Sequence, residues 1–392
     1  MKTVILIGDG MGDYPNEAAG NQTPLQSANI PHMRRIAAAG TVHMLQTAPD
    51  GMFPGSDVCN LGLLGYNPSV LYTGRAPIEA AGAHIPLQPD DVAVRCNLVN
   101  IDENDVMRDY SAGHISSEEG IALIQAIQEE LGADGLTFYP GVQYRHILVM
   151  RDGPADAHTH PPHEIPDLAI SDYLPNSLEL CDLMMASRPI LEKHPVNLKR
   201  IADGKLPATQ IWLWGQGRAL HLPSYQELYG LSGGMITAVD LLRGCGVLAG
   251  LEVVDVEGAN GLIDTNYAGK VAAALQVLRD HDFVYVHVEA PDECGHMGDL
   301  ALKTQAIELF DEKIVGPVWQ ALEDAGDPYR IVVTMDHRTP VSTKRHSSEP
   351  VPLAELVGPV GKTTRETAFD EFVNEGVATT TSWDLIPTFL KR

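Results

Sequence analysis

Thr3-Val4-Ile5-Leu6-Ile7-Gly8-Asp9-Gly10-Met11-Gly12-Asp13 is an unbroken apolar run closed by a glycine-rich turn. Continuous rather than alternating apolarity marks a strand covered on both faces, as in a parallel sheet between helical layers. The glycines let the chain turn sharply, and Asp9 falls at the carboxyl end of the strand, where open α/β sheets gather their functional groups. Two later stretches repeat the design. Phe283-Val284-Tyr285-Val286-His287-Val288 runs into Glu289-Ala290-Pro291-Asp292-Glu293-Cys294-Gly295-His296, and Ile331-Val332-Val333-Thr334-Met335 ends in Asp336-His337. The expected fold is therefore α/β, a mostly parallel sheet with helices on both faces.

An aspartate at one strand end is an ordinary turn residue. Asp9, Asp292 with His296, and Asp336 with His337, joined by His346, are harder to explain that way. Strands of one sheet converge at that edge, and six acceptors gathered there repel one another or go unpaired without cations. Asp292 and His296 are four apart, so on a helical turn they point the same way. The pattern predicts a two-metal site. Its oxygen and imidazole donors suit Mn2+, Zn2+, Co2+ or Mg2+ and do not choose among them; Cys294 reads as a small packing residue.

Pro54-Gly55-Ser56-Asp57-Val58-Cys59-Asn60-Leu61-Gly62-Leu63-Leu64-Gly65-Tyr66-Asn67-Pro68 reads as a tight turn opening a short helix, with Ser56 at its cap. A cap serine ordinarily does nothing but cap. Here its hydroxyl would sit among free backbone N–H groups at the positive end of the helix, a ready anion site. Two cations about 3.5–4 Å apart would clamp the entering and leaving oxygens of an in-line phosphoryl displacement, with Ser56 as nucleophile.

The 392 residues exceed a comfortable single core, so two domains are expected. With 44% hydrophobic and 20% charged residues the chain is an ordinary globular one. Its formal net charge of -25 argues against nucleic acid and anionic membrane as partners, while leaving room for a small anionic substrate where basic residues gather. No apolar run approaches a membrane span. Residues 1–7 lack a signal peptide's long apolar core, and the five cysteines are odd in number and scattered, so the expected location is cytoplasmic.

The texture changes at Ser116-x-x-Glu119, a capping box opening a helix that ends before Gly132. Strand-like segments at 136–139 and 144–150, a loop rich in Pro, His and Asp over 151–167, and a helix over 176–193 follow. These predict a smaller α+β domain over 115–205, inserted into a discontinuous core of 1–114 and 206–392.

Gly8-Asp9-Gly10, Pro54-Gly55-Ser56, Leu64-Gly65-Tyr66-Asn67-Pro68, Ala290-Pro291-Asp292-Glu293-x-Gly295-His296, Asp336-His337-x-Thr339-Pro340 and His346-x-x-x-Pro350-Val351-Pro352 together resemble the cofactor-independent phosphoglycerate mutases. The likeness is to their shorter, archaeal-type branch within the alkaline phosphatase superfamily. It extends to Trp212-x-Trp214-Gly215-Gln216-Gly217 and Asp264-Thr265-Asn266-Tyr267-x-x-Lys270, and so covers most of the chain.

The resemblance implies an alkaline-phosphatase-like core and an assignment for each ligand. Asp292, His296 and His346 would hold one metal; Asp9, Asp336, His337 and the Ser56 oxygen would hold the other, with Mn2+ the leading ion and Mg2+, Zn2+ or Co2+ as alternatives. Ser56 would take the phosphoryl group from 3-phosphoglycerate or 2-phosphoglycerate, without bisphosphoglycerate, and the glycerate would reorient in a closed cleft and take it back. A phosphohydrolase or phosphotransferase acting on another small phosphorylated acid shares every metal ligand and is the alternative reading. In the inserted domain, Arg145 and Arg200 are candidates to bind carboxylate or phosphate. Thr159-His160-Pro161-Pro162-His163-Glu164 resembles a family loop reading Thr-x-Pro-Pro-His-Asp, which makes His163 a candidate acid/base between the glycerate hydroxyls. His158 and His160 beside it also read as a surface chelator. Lys270 is a candidate to neutralise phosphate.

Overall fold

The computed structural model describes residues 1–373 and 378–391. The chain forms two compact units, Met1–Tyr72 with Leu222–Arg392, and Thr73–His221.

In the first unit the opening apolar run is the strand Lys2–Gly8, with Val4, Ile5, Leu6 and Ile7 fully buried. It lies inside an eight-stranded sheet. The order across the sheet is Thr380–Thr381, Thr41–Gln46, Val351–Gly358, Tyr329–Thr334, Lys2–Gly8, Phe283–Val288, Gly233–Ile236 and Glu252–Val253. Pairing is parallel from Tyr329–Thr334 through to Glu252–Val253. Register matters here: Ile7 lies opposite both His287 and Thr334, so three strands end at one level and release their loops side by side.

Val351–Gly358 runs antiparallel to both its neighbours. The chain leaves the sheet after Thr334, loops, and re-enters at Val351 on the same edge. That return carries His346 to the strand ends although no apolar run precedes it.

The second unit is built on an antiparallel sheet in the order Met107–Asp109, Asp91–Ile101, Arg145–Arg151 and Leu136–Tyr139, with Gln210–Arg218 also paired to Asp91–Ile101. The helices Ser117–Leu131 and Leu178–Lys193 help enclose a core that includes Leu98, Leu123, Ile127, Leu148, Leu180 and Trp212. The boundaries expected at 115 and 205 do not match these units, which part after Tyr72 and His221. The physical reason is the strand Asp91–Ile101. All of it beyond Asp91 is buried, and it hydrogen-bonds to Arg145–Arg151 on one side and Gln210–Arg218 on the other. Both flanking segments thus belong to the inserted sheet. Among the described residues no helix is long and apolar enough to cross a membrane.

Candidate metal centre

Asp9, Asp336 and His337 follow their strands directly, while Asp292 and His296 lie on one face of the helix Ala290–Met297. The structure brings all of them together with His346 and Ser56. His296 Nε2 is 3.1 Å from Asp292 Oδ2 and 3.1 Å from His346 Nε2, and His346 Nε2 is 3.5 Å from Asp292 Oδ1. His337 Nε2 is 3.2 Å from Ser56 Oγ, 3.4 Å from Asp9 Oδ1 and 3.5 Å from Asp336 Oδ2. The two imidazoles His337 and His346 stack with centroids 3.8 Å apart, so the two sets adjoin.

Gly10 makes this approach possible. Its φ is +59°, and a Cβ there would lie 2.5 Å from Asp292 Oδ1. Only glycine meets both demands.

Ser56 is not the cap expected. Gly55 occupies the N-cap position, Ser56 is the first helical residue, and its hydroxyl faces His337 instead of the helix backbone. The helix is tied to the cluster from below. Asn60, one turn on, donates to the Ser56 carbonyl at 2.9 Å and to Asp336 Oδ2 at 2.8 Å, and it accepts from the Tyr285 hydroxyl at 2.5 Å. Asp336 Oδ1 accepts from the backbone N–H groups of Gly10 and His337.

The imidazole tautomers point inward. His296 Nδ1 lies 3.0 Å from the Lys344 carbonyl and His346 Nδ1 3.1 Å from the Pro54 carbonyl. A carbonyl can only accept, so each Nδ1 carries a hydrogen and each Nε2 faces the carboxylates. Lone pairs and carboxylate oxygens therefore converge on a buried spot, and Asp9 Oδ1 there has no hydrogen-bond partner. An unmatched acceptor in such a place is costly unless a cation completes it. The residues present fit two divalent ions.

Titration behaviour follows the same crowding. Burial, with the charges of Asp336 and Asp292, pushes the Asp9 carboxyl well above its usual range. Asp292 is held low against its burial by His296 and His346, and Asp336 is held low against its burial by His337 and His287. Burial drives His346 down to about 3. His296, although burial opposes it, is raised to about 9 by the Asp292 carboxylate. Without cations, protons occupy the site in their place.

One residue at the site lies outside the sequence expectations. His287 is fully buried at the end of its strand, with Nε2 3.0 Å from Asp9 Oδ2, and its ligand atoms group with those of Asp9 and Asp336. Burial lowers it to about 3, so the ring is neutral. A histidine closing an otherwise apolar strand was the available signal. Asp292, His337 and His346 form the companion group; among the described residues His158 and His160 belong to neither, so the surface chelator finds no support.

The other expected residues divide. Lys270 is buried, donates to the His287 carbonyl at 2.9 Å and is lowered to about 8 by that burial; it props the strand end and is not placed to meet phosphate from solvent. In the inserted unit Arg200 is also a correction. Its guanidinium is saturated by Glu119 at 2.6 Å and by the carbonyls of Leu206 at 2.9 Å and Ala112 at 2.7 Å, so it is a structural tie. Arg145 is half-buried, with a buried Nε that has no hydrogen-bond partner, over the Tyr144 ring. It belongs to a cationic and aromatic cluster. Tyr144 meets Tyr110, Tyr110 meets His163, His163 meets Trp214, and Arg95 and Arg75 lie 4.3 and 5.7 Å from the Trp214 ring. Glu79 is the carboxylate paired with Arg75 and Arg95, and those arginines keep it ionised against its burial.

Comparison with known proteins returns one answer. A family model described as 2,3-bisphosphoglycerate-independent phosphoglycerate mutase matches residues 37–197, a span that includes Ser56. A protein of Methanothrix thermoacetophila named 2,3-bisphosphoglycerate-independent phosphoglycerate mutase is 51% identical over 357 residues, 90% of each chain. Among solved structures, the PH0037 protein of Pyrococcus horikoshii superposes with a TM-score of 0.80 at 28% identity, covering 99% of this chain and 96% of that one. A cofactor-independent phosphoglycerate mutase of Thermoplasma acidophilum gives 0.63 at 26% identity, covering 99% and 98%.

Proposed function

The chain belongs to the 2,3-bisphosphoglycerate-independent phosphoglycerate mutases, isomerases of 3-phosphoglycerate and 2-phosphoglycerate, and from that membership we propose that it works through a phosphoserine at Ser56. The observation that carries this reading is the Ser56 hydroxyl 3.2 Å from His337 Nε2, at the rim of a buried cluster of carboxylates and imidazoles in which Asp9 Oδ1 has no hydrogen-bond partner.

Asp292, His296 and His346 would hold one cation, and Asp9, Asp336, His337 and Ser56 the other. His287 bears on Asp9 from behind. Donors of oxygen and nitrogen without sulfur suit Mn2+. When bound, the cations supply positive charge that activates the serine oxygen and offsets charge building on the phosphoryl oxygens.

Ser56 Oγ gives up its proton and forms the new bond to phosphorus as the ester bond to the glycerate oxygen breaks. The departing oxygen keeps the electron pair and takes up a proton, leaving bound glycerate and phosphoserine. In the return step the other glycerate hydroxyl loses its proton and attacks phosphorus, and Ser56 Oγ leaves. His163 is our candidate for moving that proton, since it sits in the same aromatic row as Arg145. Arg145, with Arg75 and Arg95 nearby, suits the substrate's carboxylate. Five cysteines without disulfides suit a reducing compartment, which supports a cytoplasmic location.

The test is direct. Purified protein with Mn2+ and 3-phosphoglycerate, and no bisphosphoglycerate, yields 2-phosphoglycerate, and mass spectrometry after mixing finds phosphate on Ser56. Release of inorganic phosphate in place of 2-phosphoglycerate overturns the reading.

A further inference from the structure

Thr339 is fully buried just beyond Asp336 and His337 and has so far been given no work. Its hydroxyl donates to Asp292 Oδ1, and its oxygen lies 3.2 Å from His337 Nδ1. A hydroxyl has one hydrogen, and a carboxylate only accepts. The hydrogen therefore goes to Asp292, and the Thr339 oxygen is left to accept from His337 Nδ1–H. That sets the ring with Nδ1–H toward Thr339 and Nε2 turned toward Ser56, Asp9 and Asp336. His296 and His346 achieve the same orientation through main-chain carbonyls. His337 takes its orientation from a side chain instead, as buried His287 does from the Thr237 hydroxyl at 3.5 Å.

Asp292 and His337 offer donor atoms to one group with His346, and His337 Nε2 also lies 3.4 Å from Asp9 and 3.5 Å from Asp336 of the other group; in the two-cation reading above, Asp292 and His337 go to different ions. The threonine is itself firmly held. Its N–H donates to the Gly12 carbonyl at 3.1 Å, and its carbonyl accepts from Lys303 Nζ at 2.7 Å. Lys303 is fully buried and also binds the Gly12 carbonyl at 2.8 Å and Asp13 at 2.9 Å. Gly10 leaves the hydroxyl its room, since a Cβ there would lie 2.6 Å from Thr339 Oγ1.

We propose that Thr339 is a positioning residue that couples the two cation sites: its hydroxyl locks His337 in the Nδ1–H form and holds Asp292 in register with it. This rests on the two-cation reading above. A purely structural role, filling space between two loops, would be served equally well by valine.

The experiment titrates metal-free protein with Mn2+ by calorimetry, in the wild type, T339V and T339S. The wild type takes two ions per chain. T339V keeps the shape and loses the hydroxyl, and is expected to bind about 10–100-fold more weakly, while T339S stays within about threefold of the wild type. Melting of the metal-free variants serves as the control for packing. Equal affinity in T339V and wild type overturns the proposal, and so does T339S as weak as T339V. Wild-type protein that takes up no Mn2+ would remove the two-cation reading along with it, which keeps the two failures distinct. Should T339V not fold, 15N-histidine spectra of metal-free wild type at alkaline pH decide, with the His337 signal assigned by its loss in H337N. A proton on Nδ1 supports the proposal, and a proton on Nε2 overturns it.

Discussion

The two units treat charge in opposite ways. At the strand ends of the Met1–Tyr72 and Leu222–Arg392 unit, carboxylates and imidazole lone pairs crowd together and leave Asp9 Oδ1 unmatched. In the Thr73–His221 unit, buried charge is largely neutralised where it stands, Arg200 by Glu119 and three carbonyls, Arg95 by Glu79. Saturated groups hold a fold together, whereas a built cluster with partners missing is waiting for something that binds.

The comparison is most exposed at Ser56. Ser56→Ala is expected to lower turnover by about 10^4-fold or more, since a nucleophile has no substitute. Melting temperature should barely move, because the serine caps nothing, while affinity for the ion it helps to hold should fall. Coupled-assay kinetics with metal analysis checks this, and a variant retaining a tenth of the activity would break the contrast.

Arg200 and Arg145 test it from the other side. Arg200→Ala removes the donor to Glu119 and to the carbonyls of Leu206, Ala112 and Gly113, so denaturation should show a loss of about 1–3 kcal/mol. Arg145→Ala should instead raise KM about tenfold with the melting temperature nearly unchanged. Reversed phenotypes would mean that saturation is no guide to role.

The smallest effect is a slope. Cations must displace protons from Asp9 and His296, both raised in the metal-free site, so Mn2+ affinity should climb as pH rises toward about 9, by about tenfold per pH unit for each proton released. The folded value of His296 lies above its ordinary 6.5, so its contribution to the metal-free fold is complete below 6.5 and disappears as pH climbs through about 9. Metal affinity and metal-free stability should then run in opposite directions between those limits. Titration calorimetry in several buffers, alongside thermal melts, measures both.

What could be read from the chain follows the same division. Apolar runs ending in Asp or His announced the parallel strands and the side chains that cluster at their ends, because the signal was local. His346 was legible only beside the others, since an antiparallel return delivers it. The inserted unit hid its extent in Asp91–Ile101, where Arg95, Asn97 and Asn100 interrupt an apolar strand and yet are buried. Glu79 neutralises the first, and the second accepts from Trp214 Nε1 at 3.1 Å, partners far away in sequence. Arg145 and Arg200 looked alike for the same reason. Ser56 was misplaced by a single position, which changed what its hydroxyl touches.

The main-chain carbonyls of Pro54 and Lys344 have a bearing on how this site drifts over generations. Every amino acid brings a carbonyl, so exchanging the side chain at 344 leaves the anchor of His296 in being. The side chain at 344 can change, within what a left-handed backbone at φ +57° admits, while the imidazole keeps its aim. Thr339 enjoys no such insurance: one base change can delete its hydroxyl, and heredity should guard that codon more jealously than its modest size suggests.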